Sequence, residues 1–146
     1  MLSLVWLEKF AVQGTGAMLL IGSFGASAVL AFGAPASPLA QPRNLVLGHV
    51  LSALTGVACQ QLLPEAAWLA APLAVATSIA LMQYSQTLHP PGGATALIAV
   101  IGGDAVHALG FWYVLVPCLA GALMILGAAL LVNNLPRGRR WPVRWW

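Results

Sequence analysis

The stretch His89-Pro90-Pro91-Gly92-Gly93-Ala94-Thr95-Ala96-Leu97 interrupts two long apolar runs and decides how the chain is arranged. Two consecutive prolines remove two backbone donors and stop a helix that arrives from the N-terminal side. The paired glycines allow another backbone to approach closely. The apolar residues 94–101 favour a helix, but a helix needs about 20 residues to cross a bilayer. The stretch therefore predicts a half-length helix whose N-terminus, held at membrane depth, presents free N–H groups and a partial positive charge.

The composition indicates an integral membrane protein. Hydrophobic residues make up 60% of the 146 residues and charged residues only 6%, whereas soluble proteins carry about 25% charged residues. The mean hydropathy is +0.89. So few charges cannot cover a soluble surface, so the lipid bilayer is the expected partner. Small residues are expected to mediate helix packing.

The net charge of +3 is concentrated at the C-terminus, where arginines alternate with tryptophans. Basic residues next to a spanning helix mark the cytoplasmic side, and tryptophans prefer the headgroup layer. Residues 137–146 are therefore predicted to be a basic Trp/Arg cytoplasmic tail that contacts lipid and binds no nucleic acid. The protein is expected to be a multi-pass protein of a bacterial inner membrane. The residues concerned are Arg137, Arg139, Arg140, Trp141, Arg144, Trp145 and Trp146.

Four apolar segments are predicted to span the membrane: residues 1–20, 45–63, 66–87 and 110–132. The first contains Glu8 and Lys9, whose charges are costly at the bilayer centre. Between the first two spans lie a short apolar piece ending at Phe32 and a proline-rich connector over residues 33–44.

An internal repeat links the two short apolar pieces. The block Gly25-Ala26-Ser27-Ala28-Val29-Leu30-Ala31 matches Gly93-Ala94-Thr95-Ala96-Leu97-Ile98-Ala99 at a constant offset of 68. The predicted fold is an all-α membrane protein with four transmembrane helices and two re-entrant half-helices. It forms a single domain over residues 1–136, with repeat halves of about 1–64 and 65–136. Paired interrupted segments point to a transport site.

Three ordered motifs resemble the HPP family of integral membrane proteins, named for its His-Pro-Pro signature. They lie at residues 24–30, 37–44 and 88–97. The resemblance implies a compact four-span membrane protein, and chloroplast and cyanobacterial relatives are associated with nitrite transport. The charges at Glu8 and Lys9 depart from what a first span should contain.

The candidate site lies where the two half-helices are expected to meet. Thr95 and its repeat counterpart Ser27 offer hydroxyls to an anion, or else bond to backbone carbonyls one turn back. His89 is a candidate anion ligand, proton relay or helix cap. Arg43 lies either at a pore mouth or against lipid phosphate. The predicted substrate-binding residues are Ser23, Gly25, Ala26, Ser27, Arg43, His89, Gly92, Gly93, Ala94 and Thr95, with Pro90 and Pro91 structural.

These features predict transport of a small inorganic anion, nitrite by family resemblance, held by the two half-helix N-termini. A channel for water or a small neutral solute and a non-transporting scaffold are the alternatives. His49, His89 and His107 lack the tight spacing of metal ligands, and no nucleophile–base pair indicates an enzyme. No cofactor is expected. Four spans enclose little volume, which favours a homo-oligomer.

Overall fold

The computed structural model describes residues 22–138 and 140–145. Every regular element in these residues is a helix, which confirms the predicted all-α class. The elements are α1 (Gly22–Gly33), a 3₁₀ turn (Pro38–Ala40), α2 (Pro42–Leu62), α3 (Ala67–Tyr84), α4 (Pro90–Ile101), the short α5 (Asp104–His107) and α6 (Val114–Val132).

Three of these helices, α2, α3 and α6, are long and apolar enough to cross a membrane. They correspond to the predicted spans over residues 45–63, 66–87 and 110–132. Helix α6 is kinked before Pro117, because Val116 has extended backbone angles inside it. The span predicted over residues 1–20, with Glu8 and Lys9, lies outside the described residues.

The contacts of α2 give the direction of α4. A Cβ built on Gly48 would lie 2.5 Å from the Cβ of His89, and one built on Gly56 would lie 2.5 Å from the carbonyl oxygen of Ala96. Helix α4 therefore runs parallel to α2, and both start at the same end of the bundle. At about 1.5 Å per residue its 12 residues span about 18 Å, less than the hydrocarbon thickness of about 30 Å.

The non-helical segment before α4 lies along the start of α2. The Arg43 guanidinium donates to the carbonyl of Ser85 at 2.7 Å, and the Asn44 amide donates to the carbonyl of Leu88 at 2.9 Å. Residues 85–89 thus follow the first turns of α2 inward. Non-helical backbone is tolerated at membrane depth where protein buries it.

The C-terminal end of α4 and the start of α6 lie at the same end of the bundle, beside the C-terminal end of α2. A Cβ on Gly110, just before α6, would lie 3.4 Å from the amide nitrogen of Gln61, at the far end of α2. The expectation that α4 is re-entrant is therefore corrected: with its extended lead-in it forms a broken crossing. Helix α3 ends at Tyr84 and the next helix begins at Pro90, so the His-Pro-Pro stretch marks the helix start that follows the interruption.

Small residues four positions apart bring α2 and α4 together. Gly48, Ser52 and Gly56 are all buried on the face of α2 that meets α4. A Cβ on Gly92 of α4 would lie 2.6 Å from Ser52 Oγ. This is the packing that small residues allow between membrane helices, because backbones approach closely and gain van der Waals contact.

Helix α1 runs antiparallel to α4. Its Ser23 contacts Thr95 in the second turn of α4, whereas its Ser27 contacts His89 at the start of α4. The two N-terminal halves therefore lie side by side, which corrects the expectation that their tips converge. Helices α1 and α4 end 68 residues apart, the offset of the predicted repeat. The repeat halves stay a prediction because the first half includes residues outside the described range.

The C-terminal tail folds back onto the proline-rich connector. Trp141 is 5% exposed, and its indole N–H donates to the carbonyl of Pro35 at 3.1 Å. The side-chain oxygen of Gln41 accepts from the N–H groups of Val143 and Arg144 at 2.9 and 3.2 Å. The prediction of a headgroup anchor is therefore wrong for Trp141, which is buried in protein.

Replacing Gln41 by alanine is expected to release the tail. Two hydrogen bonds to tail N–H groups are lost, each contributing about 1 kcal/mol, so the open tail should become at least about tenfold more populated. The rate of trypsin cleavage at the tail arginines, followed by mass spectrometry in detergent, measures this opening.

Gln83→Ala, at the exposed end of α3, is the matched control and should leave the cleavage rate unchanged. Equal rates in the two variants would show that Gln41 does not hold the tail.

Candidate functional site

Five polar side chains meet inside the bundle, here called the polar cluster: Ser23, Ser27, His49, His89 and Thr95. Each is at most 1% exposed. They come from four segments, namely α1, α2, the lead-in to α4 and α4 itself. Buried polar side chains at membrane depth are expensive and usually functional, so the cluster is the candidate functional site.

Ser27 links the two imidazoles. Its Oγ lies 2.7 Å from His49 Nε2 and 2.8 Å from His89 Nε2. The opposite nitrogen of His89, Nδ1, lies 2.9 Å from the carbonyl oxygen of Leu39. Because a carbonyl only accepts, His89 Nδ1 carries a proton and donates it.

Thr95 extends the hydrogen bonds to α1. Its Oγ1 lies 2.7 Å from His49 Nδ1 and donates to Ser23 Oγ at 2.8 Å. The carbonyl of Thr95 accepts from the Tyr113 hydroxyl at 3.1 Å, which fixes this turn of α4 against the start of α6. The polar cluster is thus one continuous chain of hydrogen bonds from Leu39 to Ser23.

Aromatic ring contacts add to the hydrogen bonds of the cluster. The ring of Phe24 meets the His49 ring edge-on, with centroids 5.2 Å apart, and the two imidazoles are 5.1 Å apart. In the part of the chain that the structure describes, every buried side-chain nitrogen and oxygen has a hydrogen-bond partner. A fully satisfied network in a low dielectric is rigid and specific.

The start of α4 offers few free amides. Pro90 and Pro91 have no N–H, and the N–H of Gly92 donates to the carbonyl of His89 at 2.8 Å. The N–H groups of Ala94 and Thr95 lie in the second turn, where carbonyls of the first turn accept them. An anion at this helix end therefore depends on side-chain donors more than the sequence suggests.

The other predicted residues around the half-helices lie apart from the cluster. Gly25, Gly93 and Ala94 are half-buried, whereas Gly92 is buried against α2. Ala26 is exposed and lines an outward-facing apolar groove together with Pro90, Pro91 and Ala94. Of the ten predicted binding residues, the hydrogen-bonded cluster contains Ser23, Ser27, His89 and Thr95.

Arg43 lines a separate cavity of about 530 Å³ on the tail side of the bundle. The cavity also contains Arg144, Gln86 and Trp145. Arg43 and the tail therefore lie on the same side of the bundle. Leu39, which accepts from His89, lies between the cavity-lining residues Pro38 and Gln41 in sequence.

His49 is the cluster residue that the sequence analysis missed as a site residue. It joins α1 to α4 through Ser27 and Thr95. The available signal was its position inside a spanning helix, where an ionisable side chain is rare. From the sequence, His49 was a candidate only as a metal ligand, because its cluster partners are 22 and 46 residues away.

A helical bundle with a broken crossing and a buried histidine–hydroxyl cluster defines a multi-pass membrane protein with an intramembrane polar site. The family described as "HPP, transmembrane region" matches residues 1–142, and the chain belongs to this family. Two transmembrane proteins of Dictyostelium discoideum are 53% and 50% identical to it, each over 88% of this chain. The chain spans less than half of their lengths, 46% and 42%. No solved structure matches the chain.

Proposed function

We propose that this chain transports a small inorganic anion across the membrane and that the polar cluster is its binding site. The observation that carries the proposal is the complete burial of two imidazoles and three hydroxyls at the interruption of a membrane crossing. Transporters place substrate sites at discontinuous helices near the bilayer midplane. Nitrite is the first substrate to test, since the His-Pro-Pro motifs resemble those of nitrite-transporting relatives.

Imidazole N–H and hydroxyl groups are the donors proposed for the anion. They replace the water that an anion loses when it leaves solution. The closed cluster is fully occupied by its own hydrogen bonds, so binding requires Ser23 and Ser27 on α1 to separate from the histidines. Movement of α1 against α2 and α4 is the proposed opening step. In the proposed transporter α4 is a broken membrane crossing, and residues 1–20 form a further span.

The cavity beside Arg43 is the proposed entrance on the tail side. Its two arginines attract anions from solution, and Leu39 connects its wall to His89. Arginines 43, 137, 140 and 144 all belong to this side of the bundle, because the tail docks beside Arg43. The positive-inside tendency then assigns this side to the cytoplasm.

Purified protein in liposomes tests the proposal directly. Nitrite uptake above that of protein-free vesicles is the expected result, and the protein-free control removes leakage of nitrous acid. Osmotic swelling with urea or glycerol and no anion flux would instead indicate a neutral-solute channel. No flux of either kind would overturn the transport proposal and favour a scaffold.

Thr95→Val is expected to lower nitrite uptake by about tenfold or more while leaving the protein folded. Valine keeps the shape of threonine but removes the hydroxyl that contacts His49 and Ser23, a difference of about 1.4 kcal/mol or more in transition-state stabilisation. Initial uptake rates in liposomes, normalised to incorporated protein, measure the effect.

Thr55→Val is the matched control. Thr55 is also buried in the bundle, but its hydroxyl donates only to the carbonyl of Leu51 in its own helix. Its uptake should stay near the unmodified rate, and equal loss in both variants would assign the effect to helix packing and not to the cluster.

A further inference from the structure

The polar cluster contains no fixed charge. Within the described part of the chain, its hydrogen bonds involve two imidazoles, three hydroxyls and backbone carbonyls, and no Asp, Glu, Lys or Arg. An anion that enters such a site alone is an uncompensated buried charge, which is strongly unfavourable. The groups that can supply a compensating positive charge are His49 and His89.

The hydrogen-bond contacts of the cluster allow two arrangements of protons, and in the first of them Thr95 donates to Ser23. Leu39 fixes a proton on His89 Nδ1, and Thr95, which donates to Ser23, accepts from His49 Nδ1. Ser27 has one proton and lies between two Nε2 atoms, so one Nε2 must donate to it. This arrangement places three N–H protons on two imidazoles, a net charge of one.

A second arrangement satisfies the same contacts with one proton fewer. If Ser23 donates to Thr95, then Thr95 donates to His49 Nδ1, His49 Nε2 donates to Ser27, and Ser27 donates to His89 Nε2. Each imidazole is then neutral, and every hydrogen bond is kept. When His49 Nε2 donates to Ser27 in both arrangements, adding one proton to His49 Nδ1 and reversing two hydrogen bonds, Ser23–Thr95 and Thr95–His49, converts the neutral cluster into the singly protonated one without moving a heavy atom.

We propose that the cluster takes up one proton with each anion and releases both on the other side, so that transport is electroneutral. This inference rests on the proposed anion transport. The proton adds to an imidazole nitrogen when the cluster opens to water, and the anion then pairs with the imidazolium. An imidazolium alone or an anion alone in the closed site is destabilised by desolvation. The closed site therefore holds the imidazolium and the anion together, or neither of them.

Among the described groups around the cluster, the two histidines are the ones that can carry the positive charge. Helix α1 contributes Phe24 and hydroxyls, and α3 contributes Met82 near Gly92. At the start of α6, Tyr113 donates to the Thr95 carbonyl, with Cys118 beside it. Phenol and thiol groups lose protons rather than gain them, so neither supplies positive charge.

The test uses the full chain in liposomes with a trapped pH indicator and a potassium diffusion potential set by valinomycin. We expect each nitrite taken up to carry one proton inward, an acid-outside gradient to accelerate uptake, and reversal of the membrane potential to leave the rate unchanged. Protein-free vesicles give the background from nitrous acid, which is subtracted.

The outcomes separate the inference from the proposed function. Nitrite uptake that an inside-positive potential accelerates, with no proton movement, would overturn proton coupling and leave anion transport standing. No uptake under any gradient would overturn the transport proposal itself. Since these outcomes come from the unmodified chain, they do not depend on whether a variant folds.

Two histidine variants assign the proton to the cluster. His89→Gln keeps donors and acceptors but cannot take a proton, so proton-coupled uptake should fall by about tenfold or more, a difference of about 1.4 kcal/mol or more. The matched control is His107→Gln, because His107 contacts only the carbonyl of Val100 outside the cluster. Proton coupling that persists both in a folded His89→Gln protein and in a folded His49→Gln protein would overturn the assignment.

Discussion

Replacing His49 by leucine is expected to abolish anion uptake and to lower the free energy of unfolding by about 2–6 kcal/mol. The imidazole links Ser27 to Thr95, and its loss leaves both hydroxyls without one of their partners at a fully buried site. Each buried unsatisfied group costs about 1–3 kcal/mol. The two readouts are uptake in liposomes and thermal unfolding in detergent.

Two comparisons make this result specific. His107→Leu removes an imidazole outside the cluster and should leave uptake near its unmodified rate. A His49→Leu protein that is destabilised but still takes up nitrite would show that the cluster is a structural link between α1, α2 and α4. Such a result would remove His49 from the transport mechanism.

Gly92→Ala is expected to destabilise the protein, whereas Gly93→Ala is expected to leave its stability unchanged or to increase it, although the two glycines are adjacent. A Cβ on Gly92 would lie 2.6 Å from Ser52 Oγ and 2.9 Å from the carbonyl oxygen of Gly48. The backbone of α2 cannot yield, so α4 must move away, which costs about 1–3 kcal/mol. Because His89 is at the start of α4, the movement should also open the cluster and reduce uptake strongly.

A Cβ on Gly93 meets only Val75, at 3.9 Å. Alanine there gains up to about 1 kcal/mol of helix propensity, so Gly93→Ala should unfold at the same or a higher temperature and retain uptake. Melting temperatures of the two variants in the same detergent make the comparison. Equal destabilisation would mean that helix α4 does not pack on α2 as described.

The His-Pro-Pro stretch shows how far local sequence reaches. Pro90 and Pro91 stop a helix that arrives from the N-terminal side but fit a first helical turn, and the described helix begins at Pro90, four residues before the predicted start near Ala94. The 60% hydrophobic composition likewise required a membrane protein, and three predicted spans match described helices. These conclusions hold because they depend on backbone chemistry and on the solvent preference of side chains, which act within a short window of residues.

The direction of α4 and the residues that form the site are decided by tertiary packing and not by the local sequence. Whether a short helix turns back or crosses depends on its neighbours, here on the small residues Gly48, Ser52 and Gly56 that draw α4 along α2. The predicted amide site at the start of α4 was limited by the same prolines that start the helix, since they remove its free donors.

The sequence by itself therefore determined that this protein lies in a membrane, where its helices are, and where one crossing is interrupted. Each of these follows from the chemistry of a few consecutive residues. Only the tertiary structure brought His49 to Ser27 and Thr95, which are 22 and 46 residues away. Helix packing alone chooses which buried polar groups become partners, because a hydroxyl or imidazole bonds to whichever group packing places within hydrogen-bond distance.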